Sequence, residues 1–178
     1  MTVVGIDLSL TCTGIAIAKY GTITETTTVK SKGARGDSLE DRRMRLLGIR
    51  MGIEEILHPR RRTIDLIVIE APSFGSVGGS QHDRSGLWWQ LVDEWIDYGI
   101  AQVTPMQRAK YGTGKGNSAK ADVHAAVKAN YAREDLPIRT NDEADAVLLA
   151  AMGARHLERP VDVVTPEQLA AMDKVDWP

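Results

Sequence analysis

The sequence predicts an α/β domain in which a mixed sheet of five strands is flanked by helices. Three observations lead there. The chain opens with "TVVGID", "GIAIAKY" and "GTITETTTVK", short runs rich in β-branched residues and separated by turn-sized segments. Two later apolar runs, "DLIVIEAP" and "IAQVTP", each follow a helical pattern. Two more helical patterns close the body of the chain.

Taken in order, the first three runs read as an antiparallel meander, with Gly21 suited to a hairpin after Tyr20. In "SLEDRRMRLLGIRMGIEEIL", Ser38 is a candidate N-cap with Asp41 three residues on. Leu39, Leu46, Ile49, Ile53, Ile56 and Leu57 recur there at roughly helical spacing, which makes an amphipathic helix. "HPRRR" at 58–62 reads as a charged turn, with a phosphate contact as its second reading. "DLIVIEAP" has the continuous apolar character of a central strand covered on both faces, closed by Glu70 and broken by Pro72. A glycine-rich loop, "SFGSVGGSQHDRSG", leads to the helix "LWWQLVDEWIDYG". Trp88, Leu91, Val92 and Trp95 form its core stripe, and Trp89 lies off that stripe. After "IAQVTP" the segment "MQRAKYGTGKGN" reads as a loop, followed by the helices "SAKADVHAAVKANYA" and "NDEADAVLLAAMGARHL". The polar, proline-containing stretch from Pro160 reads as a tail or surface segment, so the expected domain is 1–159 with 160–178 appended.

A chain of 178 residues suits one domain with a real core. Its 43% hydrophobic and 26% charged content, with no apolar run long enough to span a bilayer, describes a soluble globular protein with no membrane partner. The opening strand is unlike a secretory leader, and the single cysteine, Cys12, forms no internal disulfide. An intracellular, cytoplasmic setting is expected.

The net charge of −2 does not announce a nucleic-acid binder. The placement of the acids changes that. Asp7 and Glu70 each close a buried strand, where loops beyond the carboxyl ends open a crevice. Asp142 and Asp145, three apart, share one helix face, with Ala144, Val147, Leu148 and Ala151 as the apolar stripe that packs the helix on the sheet. Dipole stabilisation in a first helical turn accounts for one or two acids but not for the strand ends. Carboxylates about 4 Å apart repel by roughly 4 kcal/mol per pair at an effective dielectric near 20, so such a cluster needs cations. An all-oxygen set selects Mg²⁺ or Mn²⁺, and two ions would activate a water and steady the leaving oxygen of a phosphodiester. With these four acids set aside, the rest of the chain is net basic.

The motifs "VVGIDLSLTCTGIA", "IVIEAPSFG", "GTGKGNSAKADV" and "TNDEADAVLLA", in that order over residues 1–155, resemble the RuvC-like Holliday-junction resolvases, a branch of the RNase H-like nucleases, phage-encoded members included. The resemblance implies an RNase H-like fold and a structure-selective endodeoxyribonuclease that resolves four-way junctions, with forks and flaps as further branched substrates. It places the family's metal-binding acids on Asp7, Glu70, Asp142 and Asp145, with two ions per subunit. It also implies two basic residues at the scissile phosphate: Lys120, with Lys110 or Lys115. Phe74 falls on the aromatic that wedges into the junction. His124 lies between Lys120 and Lys128 on one helix face, a basic stripe suited to DNA. The two-fold symmetry of a four-way junction implies a homodimer, for which Trp89 offers apolar surface.

Two other classes are weaker. "GTGKGNS" has alanine where a phosphate loop needs its first glycine and glycine where it needs serine or threonine. An actin-like or sugar-kinase ATPase, which also follows a first strand with "GID", needs two such domains. A non-catalytic nucleic-acid-binding module has no need of acids at two strand ends and on one helix face.

Overall fold

The computed structural model describes residues 1–72 and 80–178. Five strands, β1 (Thr2–Asp7), β2 (Cys12–Lys19), β3 (Thr22–Lys30), β4 (Leu66–Glu70) and β5 (Ile100–Val103), form one sheet in the order β3-β2-β1-β4-β5. β1, β2 and β3 pair antiparallel, whereas β4 and β5 add parallel on the other side of β1. The expected meander and mixed sheet are both present. The β2–β3 turn places Tyr20 at φ 52° and Gly21 at φ 79°, the two left-handed residues that match a hairpin to the twist of its strands.

Helices cover both faces. α1 (Leu39–Leu57) and α2 (Gln81–Trp95) lie on one face; α3 (Pro105–Thr113), α4 (Lys120–Tyr131) and α5 (Asn141–His156) lie on the other, with the single turn α6 (Pro166–Leu169) beyond them. The alternation of strand side chains divides the core accordingly. Val3, Ala16 and Val68 join Val147 and Ala150 on the α5 side, and Val4, Ile6, Ile67 and Ile69 join Ile53, Leu91 and Trp95 on the α1 side. β4 is therefore apolar throughout until it reaches Glu70.

α5 fixes the geometry that matters most. From Glu143 to Ala154 every residue of it is buried. It rests on the sheet through small residues: a Cβ on Gly5 would stand 2.2 Å from the Ala146 carbonyl oxygen and 2.5 Å from the Ala150 nitrogen. The apolar stripe expected to face the sheet is thus only part of a helix buried all round. Leu148 packs on Gly112 of α3 instead.

Other differences from the sequence reading have local causes. "MQRAKYGTGKGN" is largely helical, because Thr104 and Gln107 form a capping box, Pro105 occupies the first turn and Gly114 ends the helix at φ 81°. α2 begins at Gln81, within the stretch read as loop. "HPRRRT" is a 3₁₀ turn in which two arginines are engaged: Arg60 pairs with Glu25 at 2.6 Å, and Arg61 pairs with Glu54 at 3.1 Å and lies 4.5 Å over the Trp95 ring. Ser38 and Asp41 do form a reciprocal capping box, whereas Leu39 is exposed. Residues 160–178 run over the surface and set Ala171 and Val175 into the core, with His156 and Trp177 stacked at 4.5 Å. No helix among the described residues is long and apolar enough to cross a membrane.

Gly48 gives a clean test of α1. It is an exposed residue inside the helix, and a Cβ there meets nothing within 4 Å. Gly48→Ala should stabilise the protein by about 0.5 to 1 kcal/mol, read as a higher midpoint in urea at unchanged slope. A lower midpoint would show that α1 is not helical at that position.

Candidate active site

Asp7 is the last residue of β1 and stands opposite Gly14 of β2. Gly14 is where the sheet meets the start of α5: a Cβ on it would lie 1.9 Å from the Asp142 carbonyl oxygen. That close approach brings Asp142, half-buried, and Asp145, buried one turn further on, to the edge occupied by Asp7. β4 runs parallel to β1 and ends at Glu70, so the two strand-end acids emerge on the same side of the sheet.

Burial and neighbouring charge act together on the two strand-end acids. The Asp7 carboxyl is pushed up to about 7, first by burial and next by the charge of Glu70, with Asp142 adding to the rise; Arg108 and Lys120 oppose it. Glu70 is also raised, chiefly by burial, against the pull of Arg108 and Lys120. The Cys12 thiol beside Asp142 is pushed up to about 11, by burial before the Asp142 carboxylate, and is no nucleophile at neutral pH.

Arg108 is the residue that sequence reading missed. It lies in the second turn of α3, donates from Nε to Glu70 Oε2 at 2.5 Å and pairs through Nη1 with Asp145 Oδ1. Lys120, exposed in the first turn of α4, is the other cation acting on both Asp7 and Glu70. Lys110 is half-buried in the last turn of α3, and Lys115 is exposed just past its end. His124 is half-buried, with Nε2 3.4 Å from the Ile138 carbonyl oxygen, and Lys128 is exposed further along α4. Phe74 lies outside the described residues. Glu143, read from the sequence as an outer partner of the acids, closes a capping box instead: it accepts from the backbone of Arg139 at 2.6 Å and Thr140 at 2.9 Å. Beside Glu70 a cleft of about 150 Å³ runs along Leu8, Ser9, Pro72, Arg84 and Trp88.

The side chains gathered here are oxygen donors, the kind that a hard divalent cation takes. Arg108 pairs with Glu70 and Asp145, and Arg108 and Lys120 both act on Asp7 and Glu70, so two cations stand among the carboxyl groups at one edge of the sheet. The Arg108 guanidinium already stands as a cation between two of the four. Among the described residues no three acid, histidine or cysteine side chains converge as a ready-made ion-holding group, and Glu70 and Asp145 are turned to Arg108.

The class this architecture defines is the RNase H-like fold: three antiparallel strands extended by two parallel ones, helices on both faces, and acids at the ends of β1 and β4 and at the start of α5. Solved structures that share it include two of RuvC. The "Thermus thermophilus RuvC structure" aligns with a TM-score of 0.66 at 19% identity, covering 92% of this chain and 100% of that one. "T. thermophilus RuvC in complex with Holliday junction substrate" aligns at 0.68 and 21% identity, covering 93% and 99%. No protein-family model and no curated protein matches the chain.

Proposed function

We propose that this protein is a metal-dependent endonuclease that cleaves branched DNA, four-way junctions above all, by phosphodiester hydrolysis. The observation that carries the reading is the placement of Asp7 and Glu70 at the ends of adjacent parallel strands, with Asp142 brought beside them at Gly14, on the carboxyl edge of an RNase H-like sheet. A likeness in fold to a RuvC solved with a Holliday junction supports DNA of that shape as the substrate.

Asp7, Glu70, Asp142 and Asp145 would hold Mg²⁺ or Mn²⁺, two ions per subunit. When bound, the ions supply a water of lowered pKa and positive charge at the leaving oxygen. The chain's own residues do the rest. α5 is held to the sheet at Gly5 and Gly14, so the backbones of Asp142 and Asp145 keep their place beside Asp7 when DNA arrives. Lys120 neutralises charge growing on the scissile phosphate, with Lys110 or Lys115 on flanking phosphates. His124 and Lys128 extend the basic face along α4, and Phe74 is assigned to the branch point.

Lys120→Ala should therefore slow cleavage more than it weakens binding, because one charge among many phosphate contacts matters most where charge develops. Single-turnover rates about tenfold to a hundredfold lower, with junction affinity changed less than about threefold, are expected. Equal losses in both would make Lys120 a simple anchor.

A homodimer would present one acid cluster to each of two equivalent strands. Trp89, 64% exposed and edge-on to Trp88 at 4.9 Å, supplies apolar surface on α2 for that contact. Sedimentation should give twice the 19.5 kDa chain mass, and Trp89→Glu should shift it to monomer. A wild type that remains monomeric on junction DNA yet makes paired cuts contradicts the dimer. For the substrate itself, the test is competition: Asp7→Asn protein bound to labelled junction should resist an excess of linear duplex, and ready displacement would deny branch selectivity.

A further inference from the structure

Arg108 is a buried guanidinium, with its side chain 8% exposed. It ties together two acids from different elements, Glu70 of β4 through Nε and Asp145 of α5 through Nη1. The charge is permanent, and the planar fork can engage both carboxylates at once. The backbone beneath it is held in place. Thr104 and Gln107 cap the start of α3, Leu148 packs on Gly112, and Gln168 Nε2 donates to the carbonyls of Tyr111 at 3.0 Å and Gly112 at 3.2 Å. The side chain can leave the acids only by rotating away, since the helix is not free to carry it.

A carboxylate oxygen engaged by an arginine N–H is a poorer ligand for a metal, and a guanidinium close to a divalent ion is repelled. At Glu70 and Asp145 the two cations are therefore alternatives. We propose that Arg108 is a built-in counter-cation: it holds Glu70 and Asp145 in the metal-free protein and competes with the divalent ion for them, setting the metal concentration at which the site fills. This rests on the reading of the four acids as metal ligands. It accounts for Glu70 and Asp145 being turned to Arg108 rather than to a common point.

The test uses the full chain and Mn²⁺ alone, without DNA, so that nuclease activity plays no part. Free aqueous Mn²⁺ is followed by its paramagnetic resonance signal, and the melting temperature is measured in EDTA and in Mn²⁺. Arg108→Met should bind Mn²⁺ at least about tenfold more tightly than wild type, as removal of one adjacent like charge implies. It should also melt lower in EDTA and gain more from Mn²⁺. A purely structural role for Arg108 would lower stability without tightening Mn²⁺. Equal or weaker Mn²⁺ binding by Arg108→Met overturns the proposal and leaves the metal reading intact. Mn²⁺ that binds neither protein overturns both. If Arg108→Met does not fold, Arg108→Lys, whose single ammonium cannot span both acids, takes its place: tighter binding than wild type supports the competition, and unchanged or weaker binding overturns it.

Discussion

Asp7→Asn is expected to lower the rate of Mg²⁺-dependent junction cleavage by about a hundredfold to a thousandfold or more while junction binding persists. The substitution keeps size and removes one carboxylate from the edge where β1, β4 and α5 meet. It also relieves repulsion, so a second effect of opposite sign is expected in metal-free protein. The folded-state pKa of Asp7, about 7, lies above its ordinary value of 3.8. Folding therefore favours the protonated form: the stabilising contribution is full below about 4, is lost as pH rises through about 7, and is flat above that. In EDTA the wild type should lose stability between those limits more steeply than Asp7→Asn, and the variant should melt higher at pH 8. Wild-type cleavage by the variant would remove Asp7 from the chemistry. A lower melting temperature at pH 8 would show that its charge is compensated by groups other than those described.

Gly14→Val is expected to have the next largest effect, and it acts through backbone geometry alone. Any Cβ at this position enters the carbonyl of Asp142, with 1.9 Å to the oxygen and 2.4 Å to the carbon. Neither neighbour is the end of a flexible side chain, so α5 must move off β2 or the strand must bend. Overpacking of this kind costs about 1 to 3 kcal/mol, a fall of roughly 2 to 12 °C in melting temperature for a domain of this size. The moved end of α5 carries Asp142 and, one turn on, Asp145, so cleavage should fall by more than tenfold even at temperatures where the variant is fully folded. Retention of both stability and activity would mean that the close approach of α5 to the sheet does not position the acids.

The strands, and the placement of the four acids at strand ends and on one helix, were legible because each leaves a local trace. An apolar run that ends abruptly in a carboxylate, as in "VVGID" and "LIVIE", reports both a buried strand and its open end. Asp142 and Asp145 reported a shared helix face through spacing alone. α3 left a trace too, since Thr104, Pro105 and Gln107 make a helix start, but the glycines of "GTGKG" that follow suggested a loop to a reading based on turn residues. The role of Glu143 was likewise visible as a Thr140-x-x-Glu143 capping box. Arg108 left none. Its meaning comes from β4 and α5 meeting at α3, a tertiary fact that no spacing within α3 encodes. The packing of α5 was misread for a related reason: a helix buried on all sides has no polar face, so periodicity could not say which of its small residues touch the sheet.

The most direct test of the central assignment is cleavage of an end-labelled four-way junction, beside linear duplex and single strand of the same sequence, with Mg²⁺ and with EDTA, by wild type and by Asp7→Asn. The predicted result is paired, symmetric nicks near the branch point by wild type in Mg²⁺ only, leaving 5′-phosphate and 3′-hydroxyl ends, with linear duplex and single strand uncut and Asp7→Asn inert. Cleavage in EDTA, equal cutting of linear duplex, or wild-type cutting by Asp7→Asn would contradict it.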